Sequence, residues 1–254
     1  MVYKKFLFFY LMILPVFLSA QITDDKKFGI TLNVNSPGEF TSNGLGNYNY
    51  GKSLNGGIAK FNNYALGANV TYYLSGELGL RLKVATTKWH VTEYRDTRHQ
   101  QPDIPPSPRI DDVTFNSSDL SFALGLFYQY RIEKFSIEGG LDVDYINHAK
   151  GVYTDFVTQY DPAGYKIKNV ETIPNGNSYG IGGFFGFNFF PIDYLSIGIE
   201  FSSALLKTKI GNTVSLKSTV LSGSSQPQDD TYEDSIDRLQ FSSIKSSLNI
   251  SFWF

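Results

Sequence analysis

The sequence predicts an eight-stranded, antiparallel, up-and-down transmembrane β-barrel with short periplasmic turns and long extracellular loops. Three observations carry that expectation: two-residue alternation of apolar and polar side chains, connections that alternate short and long, and aromatics gathered at segment ends. Composition agrees, with 21 Phe, 17 Tyr and 23 Gly in 254 residues. Past the N-terminal segment, no apolar run approaches the roughly 20 residues that a membrane helix needs.

The chain begins with a targeting segment. Lys4 and Lys5 form a positive start, an apolar run from Phe6 to Leu18 follows, and Leu18-Ser19-Ala20 brings small residues before Gln21. That order is a cleavable signal peptide over 1–20, leaving the barrel domain at 21–254. Pro15 and the shortness of the run argue against a retained membrane anchor. Cleavage removes two lysines and no acids, so the formal charge falls from −2 to −4. A mildly acidic chain without a basic tract gives nucleic acid no electrostatic footing. Absence of cysteine excludes lipoprotein acylation, disulfides, thiol nucleophiles and Cys-based metal sites.

The strands follow in order. Phe28, Ile30, Leu32 and Val34 oppose Gly29, Thr31, Asn33 and Asn35; Tyr64, Leu66, Ala68, Val70 and Tyr72 oppose Ala65, Gly67, Asn69 and Thr71. Leu78, Leu80, Leu82 and Val84 alternate with Gly79, Arg81 and Lys83. Leu120 to Tyr130 and Phe135 to Tyr145 continue the pattern. Tyr179 to Phe189, Leu195 to Leu205, and Leu248 to Phe254 complete eight segments. Ten strands would result if the first or last long loop hid a hairpin.

Connections give the second signal. Ser75-Gly76, Glu133-Lys134 and Pro191-Ile192-Asp193 are tight, whereas 36–62, 95–113, 155–177 and 209–237 are long and polar. Strict alternation of the two kinds is the layout of a barrel with both termini on the periplasmic side. A soluble sandwich has no reason to segregate loop lengths in this way. The third segment runs on to Tyr94, so strands are expected to project beyond the membrane as a small exposed sheet. Pro102, Pro105, Pro106 and Pro108 stiffen the loop beside it.

Aromatics supply the third signal. Tyr72, Tyr73, Tyr128, Tyr130, Phe135, Phe189, Phe190, Tyr194 and Phe252 to Phe254 fall near one set of ends, with Trp89, Tyr94, Tyr145 and Tyr153 near the other. Two such belts read as interfacial girdles.

At this point the chain resembles the small outer-membrane β-barrel family, the OmpX and OmpA-barrel architecture and the PorT-like barrels that share it. The resemblance spans 21–254 and rests on the signal ending, the strand and loop rhythm, and the terminal Ile250-Ser251-Phe252-Trp253-Phe254. It implies residence in a Gram-negative outer membrane, contact with lipopolysaccharide and phospholipid, and delivery by the barrel-assembly machinery. Ile250, Phe252 and Phe254 would be the assembly signal, although no glycine occurs in 245–249, where that signal often carries one.

Candidate chemistry is sparse. Residues 46–53 match the P-loop pattern letter for letter, but Leu54-Asn55-Gly56-Gly57 cannot begin the helix that would cradle phosphate, so no nucleotide is expected. Charges opposite the lipid face are more informative: Glu77, Arg81, Lys83, Arg131, Glu138, Asp142, Asp144 and Glu200. An Arg or Lys facing lipid near the midplane costs about 2–4 kcal/mol, so these groups are assigned to the lumen, where they pair and plug it. Asp142 and Asp144 lack calcium-loop spacing, and neither metal nor cofactor is expected. His90 and His148 lie toward the extracellular strand ends, but no G-x-S-x-G or H-E-x-x-H occurs, and the chain is read as non-enzymatic. The expected role is structural or interactive, through extracellular loops or as an accessory subunit of a membrane complex. The alternatives are a passive pore for small solutes and a barrel enzyme acting on lipid A.

Overall fold

A computed structural model describes residues 27–35, 58–61, 64–75, 77–98, 108–159, 165–211, 213–223, 229–233, 235–242 and 244–254. The signal segment, the P-loop-like stretch 46–53, and Pro102, Pro105 and Pro106 lie outside these residues.

Eight strands close a ring: β1 (Phe28–Asn35), β3 (Tyr64–Tyr73), β4 (Leu78–Arg98), β5 (Pro108–Ile132), β6 (Phe135–His148), β9 (Gly176–Ile192), β10 (Leu195–Ile210) and β14 (Lys245–Trp253). Every neighbouring pair is antiparallel, and β14 returns to β1 in register from Gly29↔Trp253 to Asn35↔Ser247. Closure is what a strand protein needs in hydrocarbon, because an open edge there would leave backbone groups without partners. The fold is thus the eight-stranded, up-and-down transmembrane barrel.

The exterior explains why the chain closes this way. Leu124, Leu141, Val143 and Ile181 are 59–65% exposed, while Thr31, Asn69, Arg81, Asp142, Asn188, Glu200 and Asn249 inside are buried. That distribution is the reverse of a water-soluble domain, and lipid is the solvent that stabilises it. At the turn end, Glu133 adopts φ 50°, the left-handed geometry that a two-residue hairpin demands.

The long connections differ from the loops expected. Among the described residues, six further strands, β2 (Ile58–Phe61), β7 (Gly151–Gln159), β8 (Tyr165–Ile173), β11 (Thr213–Ser222), β12 (Asp229–Glu233) and β13 (Ile236–Phe241), occupy them. The upper half of β5 pairs with β7, and β7 pairs with β8, β8 with β11, and β11 with β12. Meanwhile β2 pairs with β4, and β13 with the end of β10. The barrel wall therefore continues past the loop-end rim as a raised sheet, through short breaks at Ala149-Lys150, Pro174-Asn175 and Gly211. These breaks line up in space: Ala149 N–H donates to the Ser118 carbonyl (2.8 Å) and Gly211 N–H to that of Asn175 (3.3 Å). Polarity of the wall changes at this level. Phe115, Ile173 and Ile210 form an inward apolar cluster, against which Trp89, Val91 and Tyr153 pack. On the outside, exposed Leu239 and Phe241 give way to Asp237, which pairs with Lys207 and is held below the usual carboxylate range by that hydrogen bond.

The aromatic belts are thinner than expected. Tyr72, Tyr128, Tyr130, Phe135, Phe189, Tyr194 and Phe252 face outward at the turn end, and Tyr94 and Tyr145 at the other. Tyr73, Phe190 and Trp253 instead point into the barrel, as do Trp89 and Tyr153 higher up. Sidedness flips at every residue of a strand, so a neighbour of a girdle residue faces the core.

Leu141 sits midway along β6 and is 65% exposed. Leu141→Arg is expected to lower stability by about 2–4 kcal/mol in reversible unfolding from phospholipid vesicles, and a loss well under about 1 kcal/mol would remove Leu141 from the lipid face.

Candidate functional site

The lumen is built in layers, each set by which inward residue its strand offers at that height. At the turn end lies an aromatic floor of Tyr73, Phe127, Phe184, Phe190 and Trp253. The Tyr73 ring meets Phe127 edge-on with centroids 5.4 Å apart, and Trp253 lies 5.6 Å from it. Polar tips of this floor are satisfied: Tyr73 donates to Gln129, and Trp253 Nε1 donates to Ser196 Oγ at 3.0 Å. Gly29 makes room for the Trp253 ring, since a Cβ there would fall 2.6 Å from it.

Hydroxyls and amides come next. Thr31 Oγ1 donates to Ser251 Oγ at 2.8 Å, joining the strands that close the ring, and Asn33 Nδ2 donates to Asn69 Oδ1 at 3.1 Å.

The charge layer crosses the barrel. Arg81 on β4 donates through Nε to Asp142 Oδ1 of β6 at 2.9 Å and through Nη2 to the other oxygen of that carboxylate. Its Nη1 reaches Glu200 Oε2 on β10 at 2.6 Å, and Lys83 Nζ takes the remaining Glu200 oxygen at 3.0 Å. In the ring order, β10 is the strand diametrically opposite β4, so these bonds span the lumen. The guanidinium also lies 3.1 Å over the Phe184 ring centroid, which fills the face that carboxylates leave open. Side chains of Arg81, Asp142 and Glu200 are 2–7% exposed. Such an arrangement, bidentate on Asp142 and with both oxygens of each carboxylate engaged, is the geometry in which buried charges are tolerated. Gly125 on β5 is required here, because a side chain would collide with the Asp142 carboxylate.

Glu138 and Asp144 border this layer from the two sides. Glu138 lines a void of about 20 Å³ between the charges and the floor, with Arg81, Glu200 and Asn188. Asp144 lines a chamber of about 80 Å³ on the loop side, with Lys83, Asp142, Lys245 and the small residues Ala65, Ala85, Ala123, Gly182 and Ala204. The larger space holds a few waters and the smaller about one.

Glu77 and Arg131 do not join the lumenal charges, which corrects their assignment. Glu77 precedes β4 in the exposed turn and accepts a hydrogen bond from the outward Tyr128 hydroxyl. Arg131 stands on the last rungs of β5, beyond the aromatic floor. Its Nε donates to the Glu133 carbonyl at 3.0 Å, and its Nη2 meets Asp193 on the neighbouring turn at 3.0 Å. A side chain 41% exposed at the strand end has water within reach, and its guanidinium lies 4.2 Å over the ring centroid of the inward Phe190, covering the floor from the turn side. Ile250 and Phe252 face outward on β14, while Phe254 follows that strand and exchanges backbone hydrogen bonds with Phe28.

One further layer was not legible in the sequence. Trp89 Nε1 donates to Asp119 Oδ2 (2.9 Å), Asp119 Oδ1 meets His148 Nδ1 (2.9 Å), His148 Nε2 meets Ser178 Oγ (2.7 Å), and Ser178 Oγ meets Thr208 Oγ1 (2.7 Å). This belt links five consecutive ring strands just beneath the apolar cluster. Residue parity alone could have turned Asp119, His148, Ser178 and Thr208 inward; only strand register brings them to one height. His90 is elsewhere, with Nδ1 2.6 Å from Asn116 Oδ1 at an exposed position.

No family model matches the chain, and no curated protein does. Among solved structures it is similar to the outer membrane protein OprG from Pseudomonas aeruginosa, at 16% identity and TM-score 0.44, covering 90% of this chain and 96% of that one. It is also similar to a major outer membrane protein from Thermus thermophilus, at 11% identity, TM-score 0.40, and coverage of 89% and 99%. Acinetobacter baumannii CarO matches at 14% identity and TM-score 0.36, covering 92% and 100%. Assignment of the fold rests on the ring of strand pairs described above.

Arg81→Met would strand Asp142 as an unpaired buried carboxylate and leave Glu200 with Lys83 alone. A loss of about 3–5 kcal/mol is expected in vesicle unfolding, and adding Asp142→Leu and Glu200→Gln should recover at least half of it. A single-variant loss no larger than the combined one would contradict the charge layer.

Proposed function

We propose that this protein is an integral outer-membrane barrel, closed to solutes at rest, whose role is structural or interactive. The observation that supports closure is the Arg81–Asp142–Glu200–Lys83 layer, which spans the lumen between opposite strands above an aromatic floor. An eight-stranded barrel leaves an interior just wide enough for side chains, so one crossing network suffices to fill it.

The raised sheet of β2, β4, β5, β7, β8, β11 and β12 is the surface offered to a partner outside the cell, as display element or accessory subunit of a membrane complex. Binding functions concentrate on such projecting segments held by a rigid scaffold. Lipopolysaccharide and phospholipid would surround the apolar exterior. The outward Ile250 and Phe252, with Phe254, would be read by the barrel-assembly machinery during insertion.

Purified protein in a planar bilayer is expected to show no steady conductance, and Arg81→Ala combined with Glu200→Ala to open measurable current. A stable ohmic current from the unmodified barrel would replace this reading with a passive pore. Mild-detergent purification of the tagged protein from its own outer membrane is expected to retain a stoichiometric partner that is lost when the β7–β8 hairpin is shortened.

A further inference from the structure

The belt beneath the apolar cluster contains an arrangement with its own chemistry. Asp119, His148 and Ser178 come from β5, β6 and β9, and only the barrel register sets them in line. We infer that Asp119, His148 and Ser178 form a serine-hydrolase triad acting on a short-acyl ester at the loop-end rim of the lumen.

The geometry supports each role. Both Asp119 oxygens are engaged, one by Trp89 Nε1 and one by His148 Nδ1, each at 2.9 Å, so the carboxylate cannot rotate away. A carboxylate at Nδ1 favours the tautomer protonated there and leaves Nε2 as an acceptor. Nε2 faces the Ser178 hydroxyl at 2.7 Å, within the reach a general base needs. Thr208 Oγ1, 2.7 Å from Ser178 Oγ, fixes the rotamer of the serine from the far side. Base and orienting acid are only partly buried, with side chains 18% exposed.

Two neighbouring features point to a substrate. The chamber of about 80 Å³ has Ile146 and Leu206 in its wall, two positions along β6 and β10 from His148 and Thr208. Ser178 is 1% exposed and faces inward, so its hydroxyl is closed to lipid, and this chamber, a neighbour of its partners along β6 and β10, is assigned as the acyl site. Space equal to a few waters takes an acyl group of two or three carbons and excludes a fatty chain. On the other side, Arg238 of β13 is in register with Thr208, and its buried Nε and Nη2 have no hydrogen-bond partner among the described residues. Backbone N–H groups of a strand are committed to the ladder, so a side-chain donor of this kind is what a developing oxyanion would require.

The reaction then balances without any other reagent than water. Ser178 Oγ bonds to the acyl carbon as its proton passes to His148 Nε2. The C–O bond to the alcohol breaks, and that alkoxide leaves with the proton from Nε2. Water, deprotonated by Nε2, attacks the acyl carbon, frees the carboxylic acid, and restores the Ser178 hydroxyl. Asp119 acts as a positioning residue throughout.

A fluorophosphonate probe tests the assignment on the unmodified, folded barrel, with the labelled residue located by peptide mass spectrometry. One adduct at Ser178 is expected, absent from Ser178→Ala. Asp119→Asn, which keeps the shape of the side chain, is expected to slow labelling at least about 100-fold while the heat-modifiable shift of a folded barrel persists on gels. Turnover of p-nitrophenyl acetate should exceed that of p-nitrophenyl octanoate and vanish in Ser178→Ala. Folded protein that takes no probe, or takes it equally in Ser178→Ala, overturns the triad and leaves a purely structural hydrogen-bond belt. Faster turnover of the octanoate ester overturns the short-acyl assignment.

Discussion

The Arg81 guanidinium ties three walls of the barrel at one height, reaching from β4 to Asp142 on β6 and to Glu200 on the opposite strand. That interaction is possible only if all intervening registers are correct. A slip of one residue in β4 would send Arg81 into lipid and bring Leu80 or Leu82 inside. The network therefore acts as a register check. Removing Arg81 leaves the buried Asp142 charge alone, which is why such layers specify one arrangement more than they add net stability.

Other layers fit around this crossing. Small residues, Gly125 among them, leave space where carboxylates lie, and aromatics gather toward the turn end, where Phe184 also covers the guanidinium face. Past the rim the solvent changes from lipid to water, and the wall reverses its polarity accordingly. Ile173 and Val214 become fully buried on the inside, while Lys168 and Lys217 stand on the outside of β8 and β11. The raised sheet is thus a water-soluble element grown on membrane strands.

How much of this the sequence discloses depends on which solvent each strand meets. Where one face meets lipid, period-two alternation is obligatory, and β1, β3, β9, β10 and β14 are readable residue by residue. In β8, Tyr165–Ile173, both faces carry polar and apolar groups, because water covers one side and a mixed interior the other. Its alternation is lost, and the segment passes for loop. Inward charges on Arg81, Lys83, Asp142 and Glu200 follow from the parity of their strands. At strand ends parity does not settle the partner: Glu77 turns to the outward Tyr128, and Arg131, over the inward Phe190 ring, pairs with Asp193 of a turn. The Asp119–His148–Ser178 line lies beyond sequence reading, since its members are 29 and 30 residues apart and meet through register alone.

Accessibility of the space between floor and charge layer tests the proposed closure of the lumen most directly. The chain has no cysteine, so a single Ser251→Cys is an unambiguous reporter at a position 4% exposed. A charged, water-soluble thiol reagent supplied to both faces of the bilayer-embedded protein is the probe, with Lys150→Cys at the exposed rim as the reference. The expected result is rapid modification at 150 and none at 251 until Arg81 is replaced by alanine. Modification at 251 as fast as at 150, with Arg81 in place, would mean that water and solutes pass the charge layer and that the barrel is open.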